Sequence, residues 1–352
     1  MEGKAESLTQ EQRIAALEAA HGSEDTLLSV KELRLSVGPE AGAFEPVTGA
    51  SLHVRAGELL GVVGESGSGK SLTLRAIAGL LPPAVQFRSG EIRVAGVDVP
   101  HATAKELRRL RGEGVGMIFQ EPMSALNPTM RIGAQIAEAA RAHKDLSRSE
   151  AKRRSLELLS RMGFSDPERR YRLYPHELSG GMRQRVMIAI ALTGEPKLLL
   201  CDEPTTALDA TVTMRILDLL VGLARDFNIA IVFVTHDLGV VSRICDRIVV
   251  MYAGRMVEEG PAAEVLRRPR HPYTLALLRA VPTRTSEIED LRVIPGAPPA
   301  PGEEITGCPF GPRCDYAQPE CAEPVRLLRI DSDRMSACRR QELLGEMVVS
   351  DG

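Results

Sequence analysis

The sequence feature that most constrains this chain is the segment GESGSGKS, residues 64–71, which fits the pattern G-x-x-x-x-G-K-S/T. The preceding LLGVV has the length and apolar character of a buried strand, and the following SLTLRAIAGLL has helical periodicity up to Pro82. On that helix, Leu74, Ile77 and Leu81 share one face. A strand, loop and helix of this kind bind phosphate, because backbone N–H groups and the helix N-terminus face the anion. The segment therefore predicts a P-loop nucleotide site.

The P-loop residues have separate predicted roles. Lys70 reaches the β- and γ-phosphates, and the hydroxyl group of Ser71 ligates Mg²⁺. The predicted nucleotide-binding residues of this segment are Gly64, Glu65, Ser66, Gly67, Ser68, Gly69, Lys70, Ser71 and Leu72.

A second segment, KLLLCDEP, predicts the hydrolytic side of the site. The apolar residues Leu198 to Cys201 have strand length and end in two carboxylates, Asp202 and Glu203. In P-loop enzymes an Asp at this strand end holds Mg²⁺, so the adjacent Glu is free to orient or deprotonate the attacking water. We therefore expect Asp202 to be a metal ligand and Glu203 to be catalytic.

A third segment, LSGGM, opens a helix with a serine and two glycines, Ser179, Gly180 and Gly181. Exposed N–H groups at a helix N-terminus form an anion-binding nest, and glycine allows close approach of a phosphate. One domain holds one P-loop nucleotide, so a second nest is surplus unless it binds the γ-phosphate of a nucleotide held by another subunit. The segment therefore predicts a dimer.

Charge and hydropathy restrict the class of protein further. The formal net charge is −3, which argues against nonspecific nucleic-acid binding, so no nucleic acid is expected as a partner. No apolar run approaches the roughly 20 residues of a membrane-spanning helix, and the polar first residues lack the apolar core of a secretion signal. We expect a soluble, cytoplasmic protein.

The chain divides by composition into three parts. Residues 1–24 are a polar extension, and residues 25–266 alternate strand and helix patterns, as expected for an α/β fold with a parallel sheet. Within this domain, residues 121–178 have only helical periodicity, and a hairpin turns at Ala253 and Gly254. Residues 267–352 begin with a Pro-rich sequence and end with a cysteine-containing segment.

Four of the six cysteines lie in this last part, at Cys308, Cys314, Cys321 and Cys338. Disulfides are not expected in a chain without a secretion signal, which leaves a metal site, a cluster or unliganded thiols. The absence of a C-x-x-C pair weakens a zinc-ribbon interpretation. Four thiolates suit a 4Fe–4S cluster or Zn²⁺, and both alternatives stay open on spacing alone.

These motifs occur in the order found in ABC-type ATPases, which the chain resembles from about residue 27 to 266: the P-loop, FQEP, LSGGM, LLLCDE, ALD and VTHD. The resemblance implies ATP as the nucleotide and a role for Gln120 in sensing Mg²⁺ and the lytic water. It places Asp209 at the dimer seam and the switch residue His236 on the γ-phosphate. Phe44, about 20 residues before the P-loop, is the candidate for stacking on adenine, although its segment GAFEPV is expected to be irregular.

The predicted site is then complete. The catalytic residues are Glu203, His236 and Gln120, and the Mg²⁺ ligands are Ser71, Gln120 and Asp202. Beside the P-loop, the nucleotide-binding residues are Ser179, Gly180, Gly181, Asp209 and Phe44. The resemblance also implies a P-loop NTPase core with an antiparallel β subdomain, a helical signature subdomain and a small C-terminal cysteine-containing extension.

Further features narrow the resemblance to the ATPases of oligopeptide, dipeptide and nickel importers. Met182 stands where most ABC ATPases have Gln, and the continuation MRQRVMIAIAL is similar to that of these importers, as are ESGSGKS, RHPYTLALLRAVP and CPFGPRC. The resemblance thus covers nearly the whole chain. Because members with this cysteine set carry a 4Fe–4S cluster, it favours the cluster over zinc.

The family resemblance implies a motor subunit that hydrolyses ATP to drive uptake of di- or oligopeptides. The implied partners are a second ATPase subunit, identical or paralogous, two membrane permeases and an extracytoplasmic substrate-binding protein. The protein is then peripheral on the cytoplasmic face of the membrane. The apolar residues Met123, Leu126 and Met130 after Gln120 suit contact with the permease and internal packing equally.

Three alternatives remain at this point. The first is an importer ATPase for nickel or another small solute. The second is a soluble ABC ATPase of DNA repair or translation, although the 58 residues from Gln120 to Leu178 are too few for the long coiled coil of the repair type. The third makes the cysteine segment a redox sensor, with ATP structural.

Overall fold

A computed structural model describes residues 26–38, 44–206, 208–281, 294–303 and 305–341. The predicted N-terminal extension, residues 1–24, lies outside the described residues, as does Ala207.

Within these ranges the chain forms two sheets. The strands are β1 (Thr26–Val37), β2 (Phe44–Arg55), β3 (Leu59–Val63), β4 (Val85–Val94), β5 (Val97–Asp98), β6 (Val115–Ile118), β7 (Leu198–Asp202), β8 (Ala230–Thr235), β9 (Arg247–Tyr252), β10 (Arg255–Pro261), β11 (Leu328–Arg329) and β12 (Met335–Ser336). The α-helices are α1 (Lys70–Ile77), α2 (Ala104–Arg109), α3 (Pro122–Ala125), α4 (Ile132–His143), α5 (Arg148–Arg161), α6 (Pro167–Tyr171), α7 (Gly180–Ala191), α8 (Ala210–Phe227), α9 (Leu238–Ile244), α10 (Ala262–Arg267) and α11 (Pro272–Arg279).

The larger sheet positions the predicted site. Its strand order is β11-β12-β10-β9-β3-β8-β7-β6, and the strands from β9 to β6 are parallel. Strands β3, β7 and β8 are buried at every residue, which explains their continuous apolar sequences, because helices cover both faces of such a sheet. The P-loop follows the carboxyl end of β3, between β8 and β9.

The smaller sheet is antiparallel, with the order β2-β1-β4-β5. Its apolar face packs into one core with Leu74 and Ile77 of α1. This confirms the predicted α/β core with an antiparallel β subdomain. The expected irregular segment around Phe44 is wrong, since Phe44 begins β2 and pairs with Val37.

Helices α3 to α6 lie between β6 and α7 in the chain, where only helical periodicity occurs. Leu126, 3% exposed, packs into the core of this region with Ile132 and Leu158, whereas Met123 is 53% exposed. The sequence left permease contact and internal packing equally open for the apolar residues after Gln120. Internal packing accounts for Leu126, but it does not account for Met123, whose side chain is exposed.

Helix α1 ends at Ile77, several residues before the predicted stop at Pro82. Gly79 has φ +63°, and Leu80 donates its N–H to the carbonyl of Arg75 at 2.7 Å. Glycine adopts this left-handed conformation without steric cost and so terminates the helix. Leu81 consequently lies outside the helix, half-buried at the edge of the core.

The chain after α10 rejoins the larger sheet. Strand β12 pairs with β10 through Glu258 with Ser336, and Phe310 is buried beside the rings of Tyr252 and Tyr273. The composition changes near residue 266, as predicted, but the larger sheet includes strands from both sides of this boundary. In the described parts of the chain, no helix is long and apolar enough to cross a bilayer.

Candidate active site

Four parallel strands bring the predicted catalytic motifs to one edge of the sheet. The P-loop follows β3, Glu203 follows β7, His236 follows β8, and Gln120 comes two residues after β6. The carboxyl ends of neighbouring parallel strands form the ligand-binding edge of such sheets. The fold thus assembles residues that are far apart in the sequence.

Two glycines of the P-loop, Gly64 and Gly69, lie too close to neighbouring backbone for a larger residue to replace them without a clash. Gly64 has φ +156°, and a Cβ atom there would lie 2.1 Å from the carbonyl oxygen of Met251. Gly69 has φ +99°, and its Cβ atom would lie 2.7 Å from the carbonyl oxygen of Pro46. The loop therefore packs tightly against β9 and β2.

The ammonium group of Lys70 is held inside this loop. It donates to the carbonyls of Gly64 at 2.7 Å and Glu65 at 2.8 Å, and the residue is 4% exposed. Burial lowers the pKa of Lys70, although the carboxylates of Glu203 and Asp202 act in the opposite direction. The group lies where the sequence motif predicts phosphate contact.

Ser71 and Asp202 meet across 131 residues of sequence. The Ser71 hydroxyl donates to Asp202 Oδ1 at 2.7 Å, and Asp202 is only 2% exposed. Burial raises the pKa of Asp202. Hydroxyl and carboxylate oxygens are ligands that Mg²⁺ prefers, so this pair fits the predicted metal role.

The Glu203 carboxylate is the point on which the other catalytic candidates converge. Its Oε2 atom accepts a hydrogen bond from Gln120 Nε2 at 3.4 Å and lies 3.4 Å from His236 Nδ1. Glu203 has φ +45°, and its N–H donates to the carbonyl of Val234 at 3.0 Å. A non-glycine residue held in this conformation carries strain, which is frequent at functional sites.

Sequence reasoning missed Thr206, whose hydroxyl donates to Glu203 Oε2 at 2.9 Å. The signal was a hydroxyl residue three positions after the predicted catalytic carboxylate.

Ser179 caps α7 as predicted, since its Oγ atom accepts the N–H of Met182 at 3.4 Å. The expected reason for the second glycine is incomplete, however. A Cβ atom at Gly181 would lie 2.4 Å from Val212 Cγ1, so the packing of α7 on α8 requires glycine there. Asp209 caps α8, and its Oδ1 accepts the N–H of Val212 at 2.9 Å. Ser179 and Asp209 are both exposed.

Phe44 is half-buried, two residues before the Pro46 carbonyl that packs on the P-loop. This places it on the strand that borders the P-loop. Its contact with adenine stays a prediction.

The four C-terminal cysteines line one small cavity of about 20 Å³, together with His271 and Phe310. Backbone N–H groups donate to the sulfur atoms, and that of Arg340 reaches Cys338 Sγ at 3.3 Å. Burial raises the pKa of Cys314 to about 11 and that of Cys338 to about 12. Among the described residues, no three His, Cys, Asp or Glu side chains are placed to hold a metal ion.

The other two cysteines, Cys201 and Cys245, belong to the apolar core. Burial raises the pKa of both thiols. Cys201 is fully buried, and Cys245 is half-buried against the same core.

Sequence reasoning also missed two residues near the C-terminus that reach the P-loop. Tyr273 accepts the N–H of Glu65 on its hydroxyl at 2.7 Å, and Arg313 forms an ion pair with the Glu65 carboxylate. Both lie in segments that the sequence singles out, RHPYT and CPFGPRC, but nothing local to either segment indicates its partner.

The fold and this strand-end arrangement define a P-loop ATPase of the ABC type. Residues 47–206 match the family described as ABC transporter, and residues 257–321 match the family described as Oligopeptide/dipeptide transporter, C-terminal region. A solved dimer of the ATP-binding cassette MJ0796, in a post-hydrolysis state bound to ADP and Pi, superposes with a TM-score of 0.60 at 27% identity. The superposition covers 67% of this chain and 98% of that one.

Curated relatives narrow the family. The chain is 46% identical to the oligopeptide transport ATP-binding protein OppD of Escherichia coli (strain K12), over 94% of this chain and 98% of that protein. It is 44% identical to the dipeptide transport ATP-binding protein DppD of the same organism, over 89% and 96%. The chain therefore belongs to the family of ATP-binding subunits of oligopeptide and dipeptide ABC transporters. This confirms the family that the motifs predict.

Proposed function

We propose that this protein is the ATP-hydrolysing subunit of an importer for di- and oligopeptides. The observation that carries the proposal is the convergence of Gln120, Thr206 and His236 on one carboxylate oxygen of Glu203, at the same sheet edge as the P-loop. Family membership supports the transport role, since the relatives are named as peptide transport proteins.

Each residue then has a chemical task. The P-loop amides and Lys70 bind the phosphates. Ser71, Asp202 and Gln120 would hold Mg²⁺, which would neutralise the charge that develops on the phosphates. Glu203 accepts a proton from the water that attacks the γ-phosphorus atom, and Gln120 orients that water. His236 contacts the γ-phosphate. The products are ADP and inorganic phosphate.

The active unit is a pair of such subunits. The exposed nest at Ser179, Gly180 and Gly181 binds the γ-phosphate of the nucleotide held by the partner's P-loop, and Asp209 lies at the seam. The similarity to a dimeric cassette bound to ADP and Pi supports this arrangement. The second subunit is a copy of this chain or a paralogue.

The pair works on the cytoplasmic face of the membrane with two permeases and an extracytoplasmic substrate-binding protein. The exposed side chain of Met123, on the loop after Gln120, is suited to contact a permease. When ATP closes the dimer, this loop transmits the movement to the permease.

The family resemblance supports a 4Fe–4S cluster, which the four cysteines would hold if their side chains turned toward a common centre, because in the described part of the chain no three of them surround a metal ion. The four residues line one cavity, and the backbone N–H of Arg340 donates to Cys338 Sγ, as is common around cluster sulfurs. Such a cluster supplies one-electron redox capacity or cross-links the segment. Protein purified without oxygen is expected to be brown and to contain acid-labile sulfide. Stoichiometric zinc without iron would overturn the assignment.

The hydrolytic role of Glu203 is tested with Glu203→Gln, which keeps the shape and removes the base. Turnover in the assembled transporter should fall about 10²- to 10⁴-fold, and an ATP-bound dimer should accumulate. Glu91→Gln, an exposed carboxylate on β4, is the matched control and should keep wild-type turnover. Near-normal hydrolysis by Glu203→Gln would remove Glu203 from its assigned task. Uptake of a labelled dipeptide into proteoliposomes tests the transport role separately.

A further inference from the structure

Glu65 of the P-loop is held from outside by the C-terminal part of the chain. Arg313 Nη1 donates to Glu65 Oε2 at 2.8 Å, and Arg313 Nη2 donates to Oε1 at 3.1 Å. Two parallel bonds of this kind fix both the distance and the orientation of the carboxylate. The backbone is held as well, because Glu65 donates its N–H to the Tyr273 hydroxyl at 2.7 Å.

The Arg313 side chain is itself locked and 6% exposed. Its Nη1 atom also donates to the Tyr252 hydroxyl at 3.1 Å, and Nε donates to the Pro295 carbonyl at 2.8 Å. The guanidinium carbon lies 5.8 Å from the ring centre of Tyr252 and 5.9 Å from that of Phe310. Arg313 is therefore a rigid support for Glu65.

This support is part of the four-cysteine segment. Arg313 lies between Cys308 and Cys314, in the short helical turn Gly311–Arg313 that ends at Cys314. On the other side, the carbonyl of Glu65 accepts a hydrogen bond from Lys70 Nζ. A chain of direct contacts thus runs from a cysteine of the cavity to the phosphate-binding lysine.

A second buried ion pair also attaches the C-terminal part to the larger sheet. Arg334 donates to Glu258 Oε1 at 2.7 Å, and these side chains are 5% and 0% exposed. That pair joins the same C-terminal part to β10. The pair of Arg313 with Glu65, in contrast, reaches the P-loop itself.

We propose that Arg313 is a positioning residue for ATP, which fixes Glu65 so that the P-loop amides and Lys70 are arranged for the phosphates before ATP arrives. Through Arg313, the state of the four-cysteine segment and the occupancy of the nucleotide site influence each other. The proposal rests on the proposed function in one respect, that the P-loop binds ATP.

The first test measures the affinity of the full-length chain for ATP by titration calorimetry. Arg313→Gln should weaken ATP binding about tenfold, whereas Arg334→Gln, the matched buried pair, should stay within about twofold of wild type. In the assembled transporter Arg313→Gln should raise the KM for ATP with little change in kcat. Arg313→Lys, which keeps the charge without the fork, should recover only part of the affinity.

A double-mutant cycle separates positioning from general damage. Glu65→Gln and Arg313→Gln should be strongly non-additive, because each removes the same contact. Additive effects, or equal losses in Arg313→Gln and Arg334→Gln, would overturn the proposal. Wild-type protein that fails to bind ATP would instead refute the proposed function.

The second test uses reciprocity, because two coupled sites must affect each other equally in binding free energy. ATP should slow backbone hydrogen–deuterium exchange in residues 308–314, measured by mass spectrometry of the peptides, and this readout does not require free thiols. In Arg313→Gln the same ATP occupancy should give no protection. Equal protection in both proteins would show that the coupling does not pass through Arg313.

Discussion

Glu258 shows what a fully buried carboxylate requires of its surroundings. It accepts hydrogen bonds from the backbone N–H groups of Arg270 and His271 at 2.7 and 3.0 Å, and from Arg334. Burial nevertheless raises its pKa to about 6, so the desolvation of the carboxylate outweighs the attraction of Arg334. A charge in the core is thus tolerated only with a complete set of donors.

The raised pKa of Glu258 predicts a pH dependence of stability. The folded protein binds this proton more tightly than the unfolded chain, whose carboxyl has a pKa of 4.5. The stabilisation is therefore complete below about pH 4.5 and is lost as the pH rises through about 6. Relative to Glu258→Gln, the wild type should lose about 2 kcal/mol of unfolding free energy in total as the pH rises from well below 4.5 to well above 6, and more than half of this loss falls between these two values.

Urea denaturation of both proteins from pH 4.5 to 7 measures this difference. The comparison cancels groups that titrate in both proteins. A difference of the opposite sign would mean that attraction by Arg334 exceeds the cost of burial.

At the scale of elements, glycines decide how closely helices approach. The absent side chain at Gly181 lets α7 pack against Val212 on α8, which brings Ser179 and Asp209 to neighbouring helix N-termini. The motif thus serves packing within the subunit as well as the proposed phosphate contact. Packing constrains Gly181, and the proposed phosphate contact constrains the residues just before it, Ser179 and Gly180.

Gly181→Ala separates these demands. In an unobstructed helix this change would stabilise by up to about 1 kcal/mol, but the clash with Val212 should instead destabilise by about 1–3 kcal/mol. The double variant Gly181→Ala/Val212→Ala should recover most of the loss, measured by thermal unfolding. Stabilisation by Gly181→Ala alone would refute the packing role.

At the scale of the whole molecule, one sheet joins the nucleotide core to the C-terminal part, while the proposed hydrolytic site needs a second subunit. Each chain has a P-loop and a helix N-terminus at Ser179, and in the proposed dimer the nest of one chain serves the nucleotide of the other. Changes in the nest should therefore affect ATP hydrolysis by the assembled transporter, whereas changes in the P-loop should affect ATP binding as well.

Ser179→Arg tests this division whether the partner is a copy or a paralogue. The isolated chain should bind ATP with wild-type affinity, because its own P-loop is unaltered. Turnover of the assembled transporter should be nearly abolished if both subunits carry the change, and should lose the contribution of the partner's nucleotide if the partner is a paralogue. Lys70→Ala should lose both. Calorimetry and phosphate release measure the two quantities, and a solitary protomer with full turnover that is indifferent to Ser179 would contradict the shared site. Melting temperatures check that loss of the cap, worth about 1 kcal/mol, has not unfolded α7.

The sequence alone determined the local parts of this protein. The P-loop, the strand ending at Asp202 and the helix start at Ser179 follow from glycine positions, periodicity and capping within about ten residues, and all three are present in the structure. The roles of Gln120 and His236 came from resemblance, because nothing near them indicates Glu203.

Tertiary structure decided which of these parts meet. Ser71 and Asp202 are 131 residues apart, and Glu65 and Arg313 are 248 apart. Such contacts depend on strand order and on how the chain returns to the sheet, and periodicity carries no information about either. For the same reason the structure, and not the motif, explains Gly181, whose neighbour Val212 belongs to another helix.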